Sequence, residues 1–199
     1  MNVTQDEYKM NKAIEKFYSY NKQDPNKFTW NEETYPQEYF MAIKLHEWVL
    51  KLDHEPSEAL LLASRCQHLG RWEIRRDSYP MDRVGYLTWR KELAESHAKK
   101  SKIILHEAGY AQSLIDEVEQ IVLKKGIKQK PDVQTIENAL CLVFLEFQYE
   151  DFHPNHQDTI VNILKKSLMK MDEKGHKFAM NLQFSTQGSN YIAQALQLL

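Results

Sequence analysis

The arginines of this chain are confined to one short stretch of sequence. All six lie between Arg65 and Arg90, whereas the twenty lysines are spread along the 199 residues. A guanidinium group makes planar, forked hydrogen bonds to a carboxylate or a phosphate, which an ammonium group does less well. The clustering therefore predicts a site that holds an anionic group.

The same stretch carries aromatic side chains and an excess of positive charge. From residue 65 to residue 91 there are seven basic and three acidic residues, in a chain whose net charge is −2. An aromatic ring here would stack on a nucleobase. We assign ligand-binding roles to Arg65, Arg71, Trp72, Arg75, Tyr79 and Arg90. The alternative is that the arginines tie a long loop to the helices by bonding to carboxylates and carbonyls.

Polar residues on otherwise apolar helical faces form a second group. Arg90 and His97 fall on one stripe of a long helix by steps of three and four residues. Gln67 and His68 end an apolar helix, and Glu146 is embedded in the apolar run ALCLVFLEF. Burying a carboxylate without a partner is costly, so Glu146 needs a counter-charge, a proton or a metal ion.

These polar residues suggest a catalytic or metal site. His68, His97 and Glu146 on three helices would hold a divalent metal ion or act as acid and base, with Gln67 beside them. The alternative is a core network in which Glu146 pairs with an arginine. The sequence has no HExxH, CxxC, EF-hand or glycine-rich phosphate motif. Arginines, extended by Lys124, would therefore hold any phosphate.

The periodicity of apolar residues predicts helices that would position these side chains. They are expected at residues 4–21, 36–53, 56–69, 84–108, 111–125, 133–152, 156–173 and 187–198. Two long loops, 22–35 and 70–83, separate them, and strand-like alternation is absent. We therefore expect an all-α, single-domain multi-helix bundle over residues 1–199.

Composition excludes several other classes of protein. No apolar run is long enough to span a membrane, and the N-terminus lacks the pattern of a secretory signal. The two cysteines, Cys66 and Cys141, lie in apolar runs, which is typical of buried thiols in a cytoplasmic protein. The negative net charge argues against nucleic acid as the partner.

Longer motifs of this chain resemble a known family. The strings RCQHLGRW, SYPMDRVGYLTWR and CLVFLEF, together with His97, closely resemble DUF4202, an uncharacterised domain of unknown function. The similarity covers nearly the whole chain, and it brings no established activity.

The order of the elements also resembles the HD superfamily, all-helical phosphohydrolases that use a metal ion. The string ASRCQHLGR stands where that family has a pattern such as ALLHDIGK, which places Gln67 and His68 at the positions of its histidine and aspartate. His97 and Glu146 match its later ligands. The resemblance thus implies an HD-domain-like scaffold with an altered ligand set, because a glutamine amide is a poor metal ligand.

Two further positions follow from this resemblance. His46 would occupy the place of the first HD histidine, and Lys124 the place of a further histidine found in some members. If the metal centre is lost, Lys124 and the arginines would hold an anionic ligand alone.

Three functions are compatible with these patterns. The first is a phosphohydrolase-like enzyme acting on a small phosphorylated or nucleotide ligand, with metal-activated water and phosphate held by arginines. The second is a non-catalytic module that binds a nucleotide or another anion in the same pocket. The third, RNA binding through a basic face spanning residues 65–130, is disfavoured by the net negative charge.

Overall fold

A computed structural model describes residues 5–199, and it confirms the all-α class. The helices of these residues are α1 (Gln5–Asn21), α2 (Gln37–Leu52), α3 (Glu58–Cys66), α4 (Arg83–Ala108), α5 (Gln112–Val122), α6 (Pro131–Phe147), α7 (Tyr149–Phe152), α8 (Ile160–Lys170), α9 (Glu173–Ala179) and α10 (Thr186–Leu196). No helix within the described range is both long and apolar enough to cross a membrane.

Side-chain caps fix the start of several helices. Ser57, Asp82, Asp172 and Ser185 each accept a hydrogen bond from the backbone N–H three residues ahead, at the starts of α3, α4, α9 and α10. Such caps satisfy N–H groups that the first turn leaves free.

The first long loop, 22–35, contains two short strands, although the sequence shows no strand-like alternation there. Strands β1 (Lys27–Trp30) and β2 (Glu33–Pro36) pair in antiparallel fashion. Asn31 and Glu32 form the two-residue turn, and both have positive φ, 50° and 68°. That geometry matches the right-handed twist of a hairpin but usually carries Asn-Gly. The turn therefore lacked its usual sequence signal.

The C-terminal helices also differ from the sequence prediction. The expected helix 133–152 is interrupted at Gln148, which separates α6 from α7. The expected helix 156–173 is confined to α8, and the short helix α9 was missed. Its cap, Asp172, lies inside the segment that was read as continuous helix. The expected start of the first helix at residue 4 lies outside the described residues.

The described residues divide into two compact units. The first comprises the described residues up to Glu47 together with Pro56–Lys125. Within it α3 packs against α5 and α1, and α4 packs against α5 and α1. Its core includes the fully buried side chains Phe17, Leu60, Leu62, Leu69, Leu105 and Ile115.

The second unit comprises Trp48–Glu55 and Gly126–Leu199. Within it α8 packs against α10, and α6 packs against α7, α8 and α9. Tyr149, Ile160 and Leu164 are fully buried in its core. The single-domain organisation expected from chain length stays a prediction.

The segment 70–83 joins α3 to α4 through short turns, as the sequence analysis expected. It contains two 3₁₀ turns, Arg71–Glu73 and Arg76–Ser78. It is tied to α4, because Trp89 Nε1 donates to Ile74 O at 2.9 Å. At the entry to α4, Gly85 packs directly against the backbone of Pro80, and a Cβ atom there would lie 2.1 Å from Pro80 O.

This contact predicts that Gly85→Ala destabilises the first unit. The added methyl group must displace the backbone at Pro80, which we expect to cost about 1–3 kcal/mol despite the better helix propensity of alanine. The free energy of unfolding, measured in urea, would report the loss. The control is Thr88→Ala, an exposed site on the same helix. Equal stability of the two variants would contradict the predicted close packing.

Candidate functional site

The first unit contains a cavity of about 500 Å³ at the arginine-rich segment. Its wall combines the segment 71–81 with the start of α2 and part of α4. The lining residues include Asn26, Gln37, Glu38, Arg71, Trp72, Arg75, Arg76, Met81 and Trp89. Pockets that hold small molecules have volumes of roughly 300–1,000 Å³. This cavity therefore has room for a small ligand, beside three arginines.

Glu38 is the most buried charged group in the cavity wall. It lies in the first turn of α2 and is only 4% exposed. Its backbone N–H donates to Asp24 Oδ2 at 2.9 Å, and Gln37 N donates to Asn26 O at 3.0 Å. Asp24 is itself buried. Because its carboxylate accepts the N–H of Glu38, it caps the first turn of α2 from a position well before the helix in sequence. These bonds fix the position of the Glu38 backbone.

The carboxyl group of Glu38 lies between a guanidinium and an imidazole. Its Oε1 is 3.6 Å from Arg71 Nε, and its Oε2 is 3.7 Å from His68 Nδ1. Within residues 5–199, Oε2 has no hydrogen-bond partner. Burial raises the pKa of Glu38 to about 7, although Arg71 opposes this shift. This carboxyl group can therefore exchange a proton near neutral pH.

His68 lies in a positively charged environment. Burial lowers its pKa well below the ordinary value, and the charges of Arg71, Lys124 and Arg90 lower it further. The imidazole is therefore neutral at physiological pH. Its ring centre is 5.8 Å from that of His97. Of the predicted residues, Arg71, Arg90, His97 and Lys124 thus lie near His68.

His97 presents an unprotonated nitrogen inside the protein. Its Nδ1 donates to Leu69 O at 2.8 Å, which leaves Nε2 as an acceptor. Burial lowers its pKa to about 4. Gln67 also donates to a backbone carbonyl, since its Nε2 lies 2.9 Å from Val122 O, and this leaves its Oε1 as an acceptor. Among the described residues, neither His97 Nε2 nor Gln67 Oε1 has a hydrogen-bond partner.

Not all of the predicted arginines face the cavity. Arg71 and Arg75 line it, as does Arg76, which was not among the predicted ligand-binding residues. Arg76 also donates to the carbonyl oxygens of Tyr79 and Pro80, at 3.1 and 2.8 Å. Arg76 therefore ties the loop together, which is the structural role that the sequence analysis left open.

Arg65, Tyr79 and Arg90 have partners of their own. Arg65 Nη2 donates to His46 Nε2 at 2.8 Å, and Arg65 Nε donates to Tyr18 OH at 3.2 Å. Tyr79 OH donates to Glu92, and Arg90 Nη1 donates to Tyr86 OH at 3.3 Å. Arg65 thus packs within the unit, whereas the charge of Arg90 still acts on His68.

His46 is also a structural residue in this arrangement. Its Nε2 accepts from Arg65, and its Nδ1 donates to Ser64 Oγ at 3.0 Å. Burial and the neighbouring guanidinium lower its pKa to about 4. Both ring nitrogens are therefore engaged by the first unit.

Glu146 belongs to the second unit, where its Oε2 accepts a hydrogen bond from Trp48 Nε1 at 2.7 Å. Glu146 is half-buried, and the indole N–H is a neutral donor. The counter-charge, proton or metal ion expected for Glu146 stays a prediction. Across residues 5–199, no group of three or more histidine, cysteine, aspartate or glutamate side chains is arranged to hold a metal ion. The three-residue metal set stays a prediction.

Sequence reasoning missed Glu38. An acidic residue in the first turn of a helix is ordinarily explained by the helix dipole, and Glu38 follows Pro36 at such a position. Only its burial against His68 and Arg71 distinguishes it. The signal available in the sequence was the aromatic residues Tyr35, Tyr39 and Phe40 around it, which predict a buried helix start.

Together these features define an all-α protein with an arginine-lined cavity and a buried, proton-holding carboxyl group. The chain belongs to the family described as a domain of unknown function, DUF4202, whose model matches residues 11–192. The search of curated proteins and the search of solved structures gave no match.

The raised pKa of Glu38 predicts a pH-dependent effect of Glu38→Gln. Between pH 4.5, where the unfolded carboxyl loses its proton, and about 7, the native state binds more protons. The free energy of unfolding of the wild type therefore falls as pH rises through that window. Glu38→Gln has no such proton to lose. Its free energy of unfolding, compared with that of the wild type, should therefore rise by up to about 3 kcal/mol between about pH 5 and about pH 8.

Urea unfolding of both proteins at the two pH values would measure this difference. The matched control is Glu95→Gln, which removes an exposed carboxyl group from α4. The control should show no comparable trend. A Glu38→Gln effect that is the same at both pH values would show that the carboxyl group titrates normally.

Proposed function

We propose that the cavity of the first unit binds a small phosphorylated or nucleotide ligand and that the protein acts on it as a phosphohydrolase. The observation that carries the proposal is the charge around His68. The cations Arg71, Arg90 and Lys124 act on it, and a carboxylate oxygen of Glu38 lies 3.7 Å from its Nδ1. Of these groups, Arg71 and Glu38 also line the cavity. Such an excess of positive charge around His68 favours a bound anion.

Arg71 is the residue that we propose to hold the phosphate. It lines the cavity, and its guanidinium carbon lies 5.7 Å from the centre of the Trp89 ring. Stacking on the indole restricts the orientation of the guanidinium group, which lowers the entropy cost of binding a phosphate through its planar fork. Arg75 also lines the cavity, but its Nε and Nη2 donate to Asp77, so it would add a donor through its remaining N–H groups.

Glu38 is the group that we propose for proton transfer. As a carboxylate it would accept a proton from a water molecule that attacks phosphorus. The phosphorus–oxygen ester bond then breaks, the leaving oxygen takes a proton from solvent, and Glu38 releases its own proton to solvent. A pKa near 7 suits such exchange at neutral pH.

The HD-like resemblance adds a metal ion to this proposal, held by His68, His97 and Glu146. His97 Nε2 is a suitable ligand atom, because it is unprotonated and has no hydrogen-bond partner among the described residues. Since the described residues contain no arranged group of three ligands, the reaction above uses only the side chains of the cavity.

A non-catalytic module that binds a nucleotide or another anion is the second candidate. It is favoured by Gln67, which stands where the HD pattern has a histidine and bonds instead to a backbone carbonyl. The charge excess around His68 serves this function equally well. Binding without turnover would distinguish it from the first.

We also propose a cytoplasmic location, supported by two buried cysteines that form no disulfide.

Arg71→Ala should weaken binding of inorganic phosphate and of a nucleoside monophosphate by at least about tenfold, because it removes a charged hydrogen-bond donor. Isothermal titration calorimetry would measure both affinities. The control is Arg83→Ala, because Arg83 is exposed and contributes no side chain to the cavity wall. Unchanged binding by the Arg71 variant, or no binding by the wild type, would contradict the phosphate site.

Glu38→Gln should lower phosphate release from a responsive ester by about 100-fold or more, while ligand binding persists. A panel of phosphate esters and nucleotides would be assayed with and without added divalent ions, after metal analysis of the purified protein. Glu95→Gln serves as the control for loss of a carboxyl group. Ligand binding by a protein that turns over no member of the panel would support the non-catalytic candidate instead.

A further inference from the structure

The cavity offers more than a place for phosphate, and its remaining polar groups indicate what else the ligand carries. Its volume of about 500 Å³ lies within the range of pockets that hold whole small molecules. The arginines account for an anionic group. Beside them the wall contains the carboxyl group of Glu38 and the amides of Asn26 and Gln37.

Glu38 presents an acceptor that no protein group satisfies within residues 5–199. Its Oε2 makes no hydrogen bond there, and the His68 nitrogen at 3.7 Å is beyond hydrogen-bond distance. The great majority of buried polar atoms in proteins have a hydrogen-bond partner, because leaving one unpaired costs about 1–3 kcal/mol. Glu38 itself lines the cavity, so a hydrogen-bond donor on a ligand in the cavity is a partner that its carboxyl group can take.

Asn26 presents a second acceptor of fixed orientation. Its side-chain nitrogen donates to Asp24 Oδ1 at 2.9 Å, and its backbone N–H donates to the same oxygen. The amide is thereby held with its nitrogen on Asp24, which leaves Oδ1 as an acceptor. The same Asp24 anchors the backbone of Glu38 through its other carboxylate oxygen. One buried aspartate thus positions both acceptors.

We infer that the ligand is a phosphate ester of a hydroxyl-rich compound, such as a sugar or a polyol, whose hydroxyl groups donate to Glu38 and Asn26 while its phosphate lies against Arg71. This inference rests on the proposed function of the cavity. It specifies the chemical class of the alcohol to which the phosphate is esterified.

The charge of the cavity distinguishes hydroxyl groups from other donors. An ammonium group would also satisfy Glu38. The cavity wall, however, has three guanidinium groups against the two carboxyl groups of Glu38 and Asp77, and this excess of positive charge would repel an ammonium group. Hydroxyl groups donate hydrogen bonds without bringing positive charge. The indoles of Trp72 and Trp89 in the same wall offer apolar surfaces for the carbon skeleton of the ligand.

A matched pair of ligands tests this inference. Glycerol phosphate and propyl phosphate have the same carbon count and the same charged group, and they differ only in hydroxyl groups. Calorimetry should show glycerol phosphate binding about tenfold more tightly or better, since a hydroxyl bound to a charged acceptor contributes substantially. Inorganic phosphate is measured alongside to report the anion site alone.

Variants then assign the preference to its residues. Glu38→Met, which replaces the carboxyl group by an unbranched apolar side chain, should bring the ratio of the two affinities close to one. Asn26→Ala, at an exposed position, should reduce the ratio partially. Arg71→Ala should weaken both ligands alike and preserve the ratio. Circular dichroism and unfolding temperature would confirm that each variant is folded.

The outcomes separate this inference from the proposed function. Equal affinities for the two esters in the wild type, with binding still dependent on Arg71, would overturn the hydroxyl-rich class and leave the phosphate site standing. A preference that survives both Glu38→Met and Asn26→Ala would also overturn it. Binding of none of the three ligands would overturn both.

Discussion

The carboxyl group of Glu38 is the constraint on which the candidate site depends. A buried carboxyl group must find a partner or keep its proton. Here Arg71 lies within ion-pairing distance on one side, His68 lies on the other, and the pKa still rises to about 7. The position of the group is set by Asp24, which accepts the backbone N–H of Glu38. The start of α2, Asp24 and the arginine-rich segment 71–81 therefore meet at Glu38.

The clustered arginines differ in the groups that they contact. Arg65 and Arg76 satisfy neighbouring groups of the protein, namely His46, Tyr18 and backbone carbonyl oxygens. Arg76 also lines the cavity, as does Arg71, which lies beside Glu38 and over the ring of Trp89. A guanidinium group has five N–H donors, so the same residue type can support a loop or hold a ligand. Which role each arginine takes depends on the acceptors within its reach.

The sequence predicted the helices well where periodicity and caps agree. The long helix α4 begins at an Asp82 cap and ends before Gly109, close to the predicted range. Prediction failed where a local signal was weak or short. The Asn31–Glu32 turn lacks the usual glycine, and α9 is too short for its periodicity to be recognised. The break at Gln148 has no proline or glycine to mark it.

The sequence by itself determined the helical class, the family and the clustering of the arginines between residues 65 and 90. These follow from residue order, because helical periodicity, capping residues and the clustering of guanidinium groups are local properties. Only the tertiary structure decided that Glu38 faces His68 and Arg71, that His97 Nε2 is left as an acceptor, and that Arg65 turns to His46. Burial and the approach of groups distant in sequence set protonation and pairing, and neither can be read from the spacing of residues.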